Sequence, residues 1–486
     1  MSKEILNLEP KDVWKHFYDL TQVPRPSKHE DKIQEFMMNF GKSLGLETIK
    51  DEVGNVIIRK PATPGMEDRK GIILQGHLDM VPQKNSDTDH DFEKDPIDAY
   101  IDGDWVTARG TTLGADNGMG VAASMAVLAS DNIPHGPIEG LFTSDEETGM
   151  TGAFGLKPGM LEGEILLNLD SEDEGELYIG CAGGIDATIN FDFKEEDVPA
   201  NSTAFKLAVT GLKGGHSGLD IILYRGNSNK LLFRFIKAAI EHYDLRIANI
   251  QGGSLRNAIP RESFATVTVP ADKKDKFVEC VAKFEQTYIA ELSAKEPNLS
   301  FKVEATDMPA KVMDNETATK VTDFVYAAPN GVMRMSDAMD NMVETSTNLA
   351  IVQTKGTKVM LAALMRSFVE SAKDDLAEMF TSLSRLAGAD CVLAGAYPGW
   401  KPNPDSTILG EMQEVYNNKF GKVPEIKAIH AGLECGLLGS VYPAWDMISF
   451  GPTIRFPHSP DEKVEIATVN KFYDFLLETL KNAPKK

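Results

Sequence analysis

Short apolar runs that lead into a histidine or a carboxylate recur along this chain, and they constrain its fold more than any other feature. Ile72 to Leu74 leads to His77 and Asp79, Pro137 to Thr143 leads to Glu146 and Glu147, and Gly163 to Leu169 ends at Asp170. A further run, Asp446 to Pro452, precedes a loop that carries His458. Such runs, bounded by turn residues, read as buried strands. Segments with helical spacing accompany them, for example Asp31 to Leu44 with apolar residues at Ile33, Phe36, Met37, Phe40 and Leu44. Strands alternating with helices predict an α/β fold, with helices on the faces of a parallel or mixed sheet. In open sheets of this kind ligands collect at the carboxyl ends of the strands. His77, Glu146, Glu147 and Asp170 all occupy that position.

A chain of 486 residues exceeds the size at which one core stops growing, so two domains are expected. From about Asp186 to Gly395 the pattern changes to strand, helix, strand, strand, helix, with hairpin chemistry at Thr354-Lys355-Gly356-Thr357. This stretch reads as an α+β insertion, hinged at Gly183 and Gly184 and at Ala396 to Asp405. The net charge of −23 argues against nucleic acid and anionic membrane surfaces as partners. The first residues show no apolar signal core, and no run approaches the roughly 20 apolar residues that span a bilayer. A soluble, cytoplasmic protein is expected. Cys181, Cys280, Cys391 and Cys435 lack C-x-x-C spacing, which points to buried small hydrophobes rather than a disulfide framework or a structural zinc site.

The candidate ligands are His77, His458, Asp116, Glu147 and Asp170, with Glu146 left over. Asp116 follows a glycine-rich loop and precedes a helix expected to begin near Asn117. Alone, a His-x-Asp or a Glu-Glu pair is more often a solvated turn than a metal site; the shared strand-end position reverses that preference. Nitrogen and oxygen donors without sulfur suit zinc, manganese or cobalt. Three carboxylates and a bridging hydroxide balance the four charges of two divalent ions. Such a pair, roughly 3.5–4 Å apart, clamps an attacking hydroxide and polarises a carbonyl. Glu146 is then available as the general base. Asp79, two residues from His77, can accept its ring N–H and so orient it.

The stretches HLDMVP at 77–82, GTTLGADNGMG at 110–120, SDEETGM at 144–150, NLDSEDEGELYIGCAGG at 168–184, GGHSG at 214–218 and FPHSPDE at 456–462 together resemble the cocatalytic zinc exopeptidases related to aminoacylase and carboxypeptidase G. The resemblance covers nearly the whole chain and is closest to the branch that cleaves aminoacyl-histidine dipeptides. It implies a mixed-sheet di-zinc catalytic domain of residues 1–185 and 400–486, and an inserted lid and dimerisation domain of residues 186–399. It implies that Asp116 bridges two ions, that His77 and Asp170 complete one site, and that Glu147 and His458 complete the other. It also implies a cis peptide between Asp116 and Asn117. His216 resembles a lid histidine that stabilises the oxyanion, often in the partner subunit of a homodimer. Asn257 and Arg366 resemble substrate-holding residues, and Glu434 is placed to face a substrate amino group. Against these stand plainer roles: a surface glycine turn for His216, a structural salt bridge for Arg366 and a paired buried carboxylate for Glu434. The expected function is a metallodipeptidase acting on small unblocked peptides, including those ending in histidine. The alternatives are an N-acyl amino acid amidohydrolase with the same chemistry, and a silent binding protein, which would have no need of Glu146.

Overall fold

Ile72–His77 is buried at every position and lies at the middle of an eight-stranded sheet. The order across that sheet is Glu47–Lys50, Val56–Lys60, Ile138–Thr143, Ile72–His77, Ile165–Asn168, Asp446–Ser449, Glu176–Cys181 and Glu425–Ile429. The four central strands, Ile138–Thr143 to Asp446–Ser449, run parallel, so their carboxyl ends share one edge. Beside them the helix Ala115–Ala129, built of small and apolar residues, is buried almost all round, as a helix inside an α/β core must be. Asp116 and Asn117 depart from helical geometry at its start, so the regular helix begins after Asn117. The peptide between Asp116 and Asn117 is cis.

The computed structural model describes residues 3–486. The chain divides into two units: Met1–Gly180, Pro402–Ala428 and Leu433–Lys486 form the first, and Cys181–Lys401 with Ile429–Gly432 form the second. In the first unit, the acidic stretch that follows Gln83 ends in a hairpin, Ala99–Asp102 and Trp105–Ala108. That hairpin pairs with Lys463–Glu465, which in turn pairs with Ile454–Arg455. His458 therefore sits in a loop between two short antiparallel strands.

The second unit holds a nine-stranded sheet with an internal duplication that no sequence repeat signals. Strands Ser202–Thr210, Arg246–Gly252, Ser263–Pro270 and Ser300–Ala305, with helices Ser228–Tyr243 and Lys274–Leu292, make one β-α-β-β-α-β set. Strands Gly183–Asp192, Val343–Lys355, Lys358–Ser367 and Asp390–Tyr397, with helices Asn315–Ala327 and Glu370–Ala387, make another. Counted from its outer edge, each set has the order fourth, first, third, second. The two second strands join the sets through the pairs Gln251 with Gln353 and Gly252 with Val352. The first set is inserted between the first strand and the first helix of the other. A single apolar core, rich in phenylalanine, underlies both. Gly183 and Gly184, expected at a hinge, are buried in the strand Gly183–Asp192. Cys181 and Cys435 are buried, but Cys280 and Cys391 are only half-buried.

Candidate active site

The parallel strands deliver their terminal residues to one place, and Asp116 is the residue that links them. Its Oδ1 lies 3.2 Å from His77 Nε2 and its Oδ2 lies 3.2 Å from His458 Nε2. Asp170 Oδ1 is 3.5 Å from His77 Nε2, and Glu147 Oε2 is 3.0 Å from His458 Nε2. Two three-residue groups result, His77 with Asp116 and Asp170, and His458 with Asp116 and Glu147, each with one donor atom per residue inside 4.8 Å. Glu147 Oε1 and Asp170 Oδ1 are buried without hydrogen-bond partners. Buried carboxylate oxygens are costly unless something positive meets them. The donor set, all oxygen and imidazole nitrogen, suits divalent zinc, manganese or cobalt.

Asp79 is fully buried and does more than face His77. Its Oδ1 is 3.4 Å from His77 Nδ1, while its two oxygens accept the backbone N–H of Glu146 at 3.0 Å and of Glu147 at 3.2 Å. Ser27 Oγ donates to Asp79 Oδ2 at 2.8 Å. One carboxylate thus fixes the His77 ring and the backbone of the segment carrying Glu146 and Glu147. Arg25, also buried, donates to the carbonyls of Leu78 and Asp79, both at 3.0 Å, and to that of Gly114 at 2.5 Å, tying the His77 loop to the Asp116 loop.

Glu462 is a second clamp. It is buried and accepts four backbone N–H groups, those of Leu113 at 2.8 Å, Gly114 at 2.9 Å, Ala115 at 2.7 Å and Asp116 at 3.2 Å. Because it lies four residues after His458, it holds the His458 loop against the loop that presents Asp116. Neither Arg25 nor Glu462 announces itself in the sequence. Arg25 looks like one more charge in a turn, and Glu462 is indistinguishable from its neighbour Asp461. Glu462→Gln leaves one acceptor oxygen for four donors and turns an NH2 group toward the rest. We expect a lower thermal midpoint and a divalent-ion affinity weakened by about 10–100-fold, the scale of lost support behind a ligand. Calorimetric zinc titration of the chelator-treated protein checks it, and unchanged affinity would separate this clamp from metal retention.

The charges reinforce one another. Hydrogen bonds to Asp116 and Glu147 raise His458 to about 11. Burial opposes a charge on His77, but Asp170, Asp116 and Asp79 outweigh it and push the ring well above the usual imidazole value. Burial likewise opposes ionisation of Asp79, yet His77, the Glu146 N–H and Ser27 hold its carboxyl at about 2. Cations therefore bind here in competition with protons, and affinity falls as pH falls. Glu146 is half-buried, and burial, with Asp170, Glu434 and Glu147 adding to it and His77 opposing, pushes its pKa well above the carboxylate norm. A carboxyl poised this way can both take and return a proton.

Glu434 is buried at the start of the helix Glu434–Val441. Gln75 Nε2 and Thr143 Oγ1 donate to its Oε2 at 2.7 and 2.8 Å, and its Oε1 has no hydrogen-bond partner. It is half paired and half free. In the second unit, His216 Nδ1 accepts the backbone N–H of Gly218 and of Leu219, both at 3.2 Å. That leaves Nε2 as the protonated nitrogen of the neutral ring. Burial and Arg366 lower the His216 pKa, with Asp220 opposing. Asn257 is exposed, and its carbonyl accepts the Ser217 N–H at 2.8 Å. Arg366 is buried and donates to Tyr397 Oη at 2.9 Å, its Nε lacks an acceptor, and it pairs with no carboxylate among the described residues. The structural salt bridge weighed for Arg366 is absent there.

The profile of Peptidase family M20/M25/M40 matches residues 73–482, and the chain belongs to that family, whose members act with divalent metal ions. The cytosol non-specific dipeptidase of Escherichia coli strain K12 is 49% identical over 483 residues, covering 99% of this chain and 100% of that protein. The crystal structure of aminoacylhistidine dipeptidase from Vibrio alginolyticus is similar with a TM-score of 0.96 at 50% identity, covering 100% of this chain and 99% of that one. Aminopeptidase PepT from Bacillus cereus shares the fold at 16% identity and a TM-score of 0.56, over 98% and 99% of the two chains. No helix among the described residues is long and apolar enough to cross a membrane.

Proposed function

We propose that this protein is a zinc-dependent dipeptidase that hydrolyses unblocked dipeptides, including those with a C-terminal histidine. The observation that carries the reading is the pair of three-residue groups sharing Asp116, with Glu146 alongside. His77, Asp116 and Asp170 would hold one ion and His458, Asp116 and Glu147 the other; manganese or cobalt would suit the same donors. When bound, the two ions supply Lewis acidity for the scissile carbonyl and lower the pKa of the attacking water.

The chain's own residues do the rest. Glu146 takes a proton from the attacking water and returns it to the leaving amine. Asp79 keeps His77 in one ring orientation and keeps the Glu146 backbone fixed. His216 donates from Nε2 to the developing oxyanion. The free Oε1 of Glu434 accepts the substrate's amino group, and Arg366, with Asn257, holds its carboxylate, for which a planar guanidinium is well shaped. Recognition at both ends limits the substrate to two residues. The relatives named as dipeptidases support this reading, as does the word cytosol in one of those names for a cytoplasmic enzyme. A homodimer in which the second unit serves as lid and interface completes the proposal.

The test is amino-acid release from β-alanyl-histidine and alanyl-leucine, with N-acetyl amino acids alongside, before chelation, after it, and after zinc is restored. Zinc-dependent cleavage confined to the free dipeptides is the expected result. Cleavage of the acetylated compounds alone would replace the dipeptidase with a deacylase.

A further inference from the structure

We infer that His430, held by Ser346 and set beside Arg366, is a second determinant of recognition for the substrate's terminal carboxylate. This inference rests on the peptidase reading above and extends it to two residues, His430 and Ser346, that the proposed mechanism does not use.

The placement follows from strand register. Ser346 stands directly opposite Arg366, Arg366 stands opposite Gly184, and Gly184 stands opposite Tyr397. Residues directly opposite in an antiparallel ladder share a face, with Cβ atoms about 4.5–5.5 Å apart. The four residues therefore form one row across three neighbouring strand pairs. Gly184 is required in that row: a Cβ there would meet the Tyr397 ring at 2.6 Å. Without one, the ring lies across the strand and its Oη reaches Arg366 Nη1 at 2.9 Å.

His430 reaches the same row from the short segment Ile429–Gly432. That segment is fastened to the second unit by the Ala182 N–H, which donates to the carbonyls of Ile429 and Ala431, both at 3.0 Å. The Nε2 of His430 lies 2.7 Å from Ser346 Oγ, and the Phe368 ring meets the imidazole edge-on at 5.6 Å. The ring is thereby fixed on two sides.

A count of donors shows what is missing. His430 is 5% exposed, Ser346 1% and Arg366 6%. Burial, helped by Arg366 and His216, lowers His430 to about 3, so the ring is neutral and carries one N–H. That N–H and the Ser346 O–H are two donors, and the bond between them uses one. If Ser346 donates to Nε2, the proton sits on Nδ1, which is buried without a partner. If Nε2 donates instead, the Ser346 hydroxyl proton is left over. Arg366 Nε is a further buried donor without an acceptor. The cluster thus carries one permanent positive charge and two surplus donors, with no carboxylate paired to Arg366 among the described residues. Such a surplus is expensive to bury and is relieved by a ligand with a negative charge and two acceptor oxygens. A carboxylate meets both requirements. A C-terminal amide offers one acceptor and no charge, and its NH2 group would face donors.

The experiment compares a dipeptide with its C-terminal amide, using the zinc-loaded full chain and the variants His430→Ala, His430→Gln and Ser346→Ala. The parent is expected to favour the acid strongly. In His430→Ala, KM for the acid is expected to rise by about 10–100-fold, the range for leaving a charged partner one bond short, with kcat little changed. The acid-over-amide preference should fall by a similar factor. His430→Gln, which keeps an N–H donor, should recover part of the preference, and Ser346→Ala should lose less than His430→Ala. Zinc content and thermal midpoint are measured for each variant. A folded, zinc-loaded His430→Ala protein with the parental acid-over-amide ratio overturns the inference, and so does a parent that shows no such preference. If the parent cleaves no dipeptide, the peptidase reading fails by itself. Calorimetric binding of a dipeptide analogue with a reduced peptide bond, as acid and as amide, to parent and His430→Ala then still decides the role of His430.

Discussion

Glu146→Gln is expected to retain the fold and the divalent-ion content and to lose about three or more decades of kcat, the combined scale of a general base and of electrostatic stabilisation. The substitution removes the proton acceptor and changes little else. No ligand distance in the two three-residue groups depends on the Glu146 side chain, and the hydrogen bond that fixes its backbone, from its N–H to Asp79, survives. Burial and the neighbouring carboxylates hold Glu146 well above the ordinary carboxylate range, and an amide cannot imitate that poise. The measurement is single-turnover hydrolysis of a dipeptide alongside elemental analysis of bound zinc. A variant that keeps both its zinc and near-parental turnover would remove Glu146 from the chemistry. One that loses zinc would make it a ligand.

Asp116→Ala is expected to lower bound zinc from two ions per chain to one or none and to bring activity to the limit of detection. Each Asp116 oxygen serves a different histidine, so a single truncation withdraws a donor from both groups at once. Glu147→Ala provides the contrast, since Glu147 groups with His458 and Asp116 and is not one of the His77, Asp116 and Asp170 donors, although it also lies near His77 and Glu146. It should weaken one ion and spare the other. Two-site zinc titrations of the chelator-treated variants distinguish these outcomes. If Asp116→Ala and Glu147→Ala lose the same single ion, Asp116 is not shared.

The candidate ligands are legible because strand ends are legible. An apolar run followed by a polar residue is local, and in a parallel sheet every such end points the same way, so His77, Glu147 and Asp170 could be gathered without coordinates. His458 could be gathered as well, although the hairpin that carries it pairs with Trp105–Ala108, a strand from a distant part of the chain. The clamps were not legible. Glu462 bonds to residues almost 350 positions earlier, and Arg25 joins two loops that only the fold brings together. Residue type carries no trace of such partners. The row of Ser346, Arg366, Gly184 and Tyr397 was out of reach for a related reason: it depends on register, and a slip of one residue would turn each side chain to the opposite face. The two β-α-β-β-α-β sets share path but not side-chain pattern, so the duplication also left no periodic signal.

That duplication governs the order in which the second unit can be built. The inner set, from Ser202 to Ala305, is continuous in sequence and can close its own four strands as soon as it has left the ribosome. Gly183–Asp192 emerges before it yet waits for Lys358–Ser367 and Asp390–Tyr397, which emerge long after. Closing so long a loop is slow compared with local pairing. During that interval Arg246–Gly252 is an unpaired edge, the kind of strand that recruits neighbouring chains. Val343–Lys355 pairs with its carboxyl end, at Gln251 and Gly252, when the outer set closes, so that end is most exposed to aggregation while the protein is still being translated.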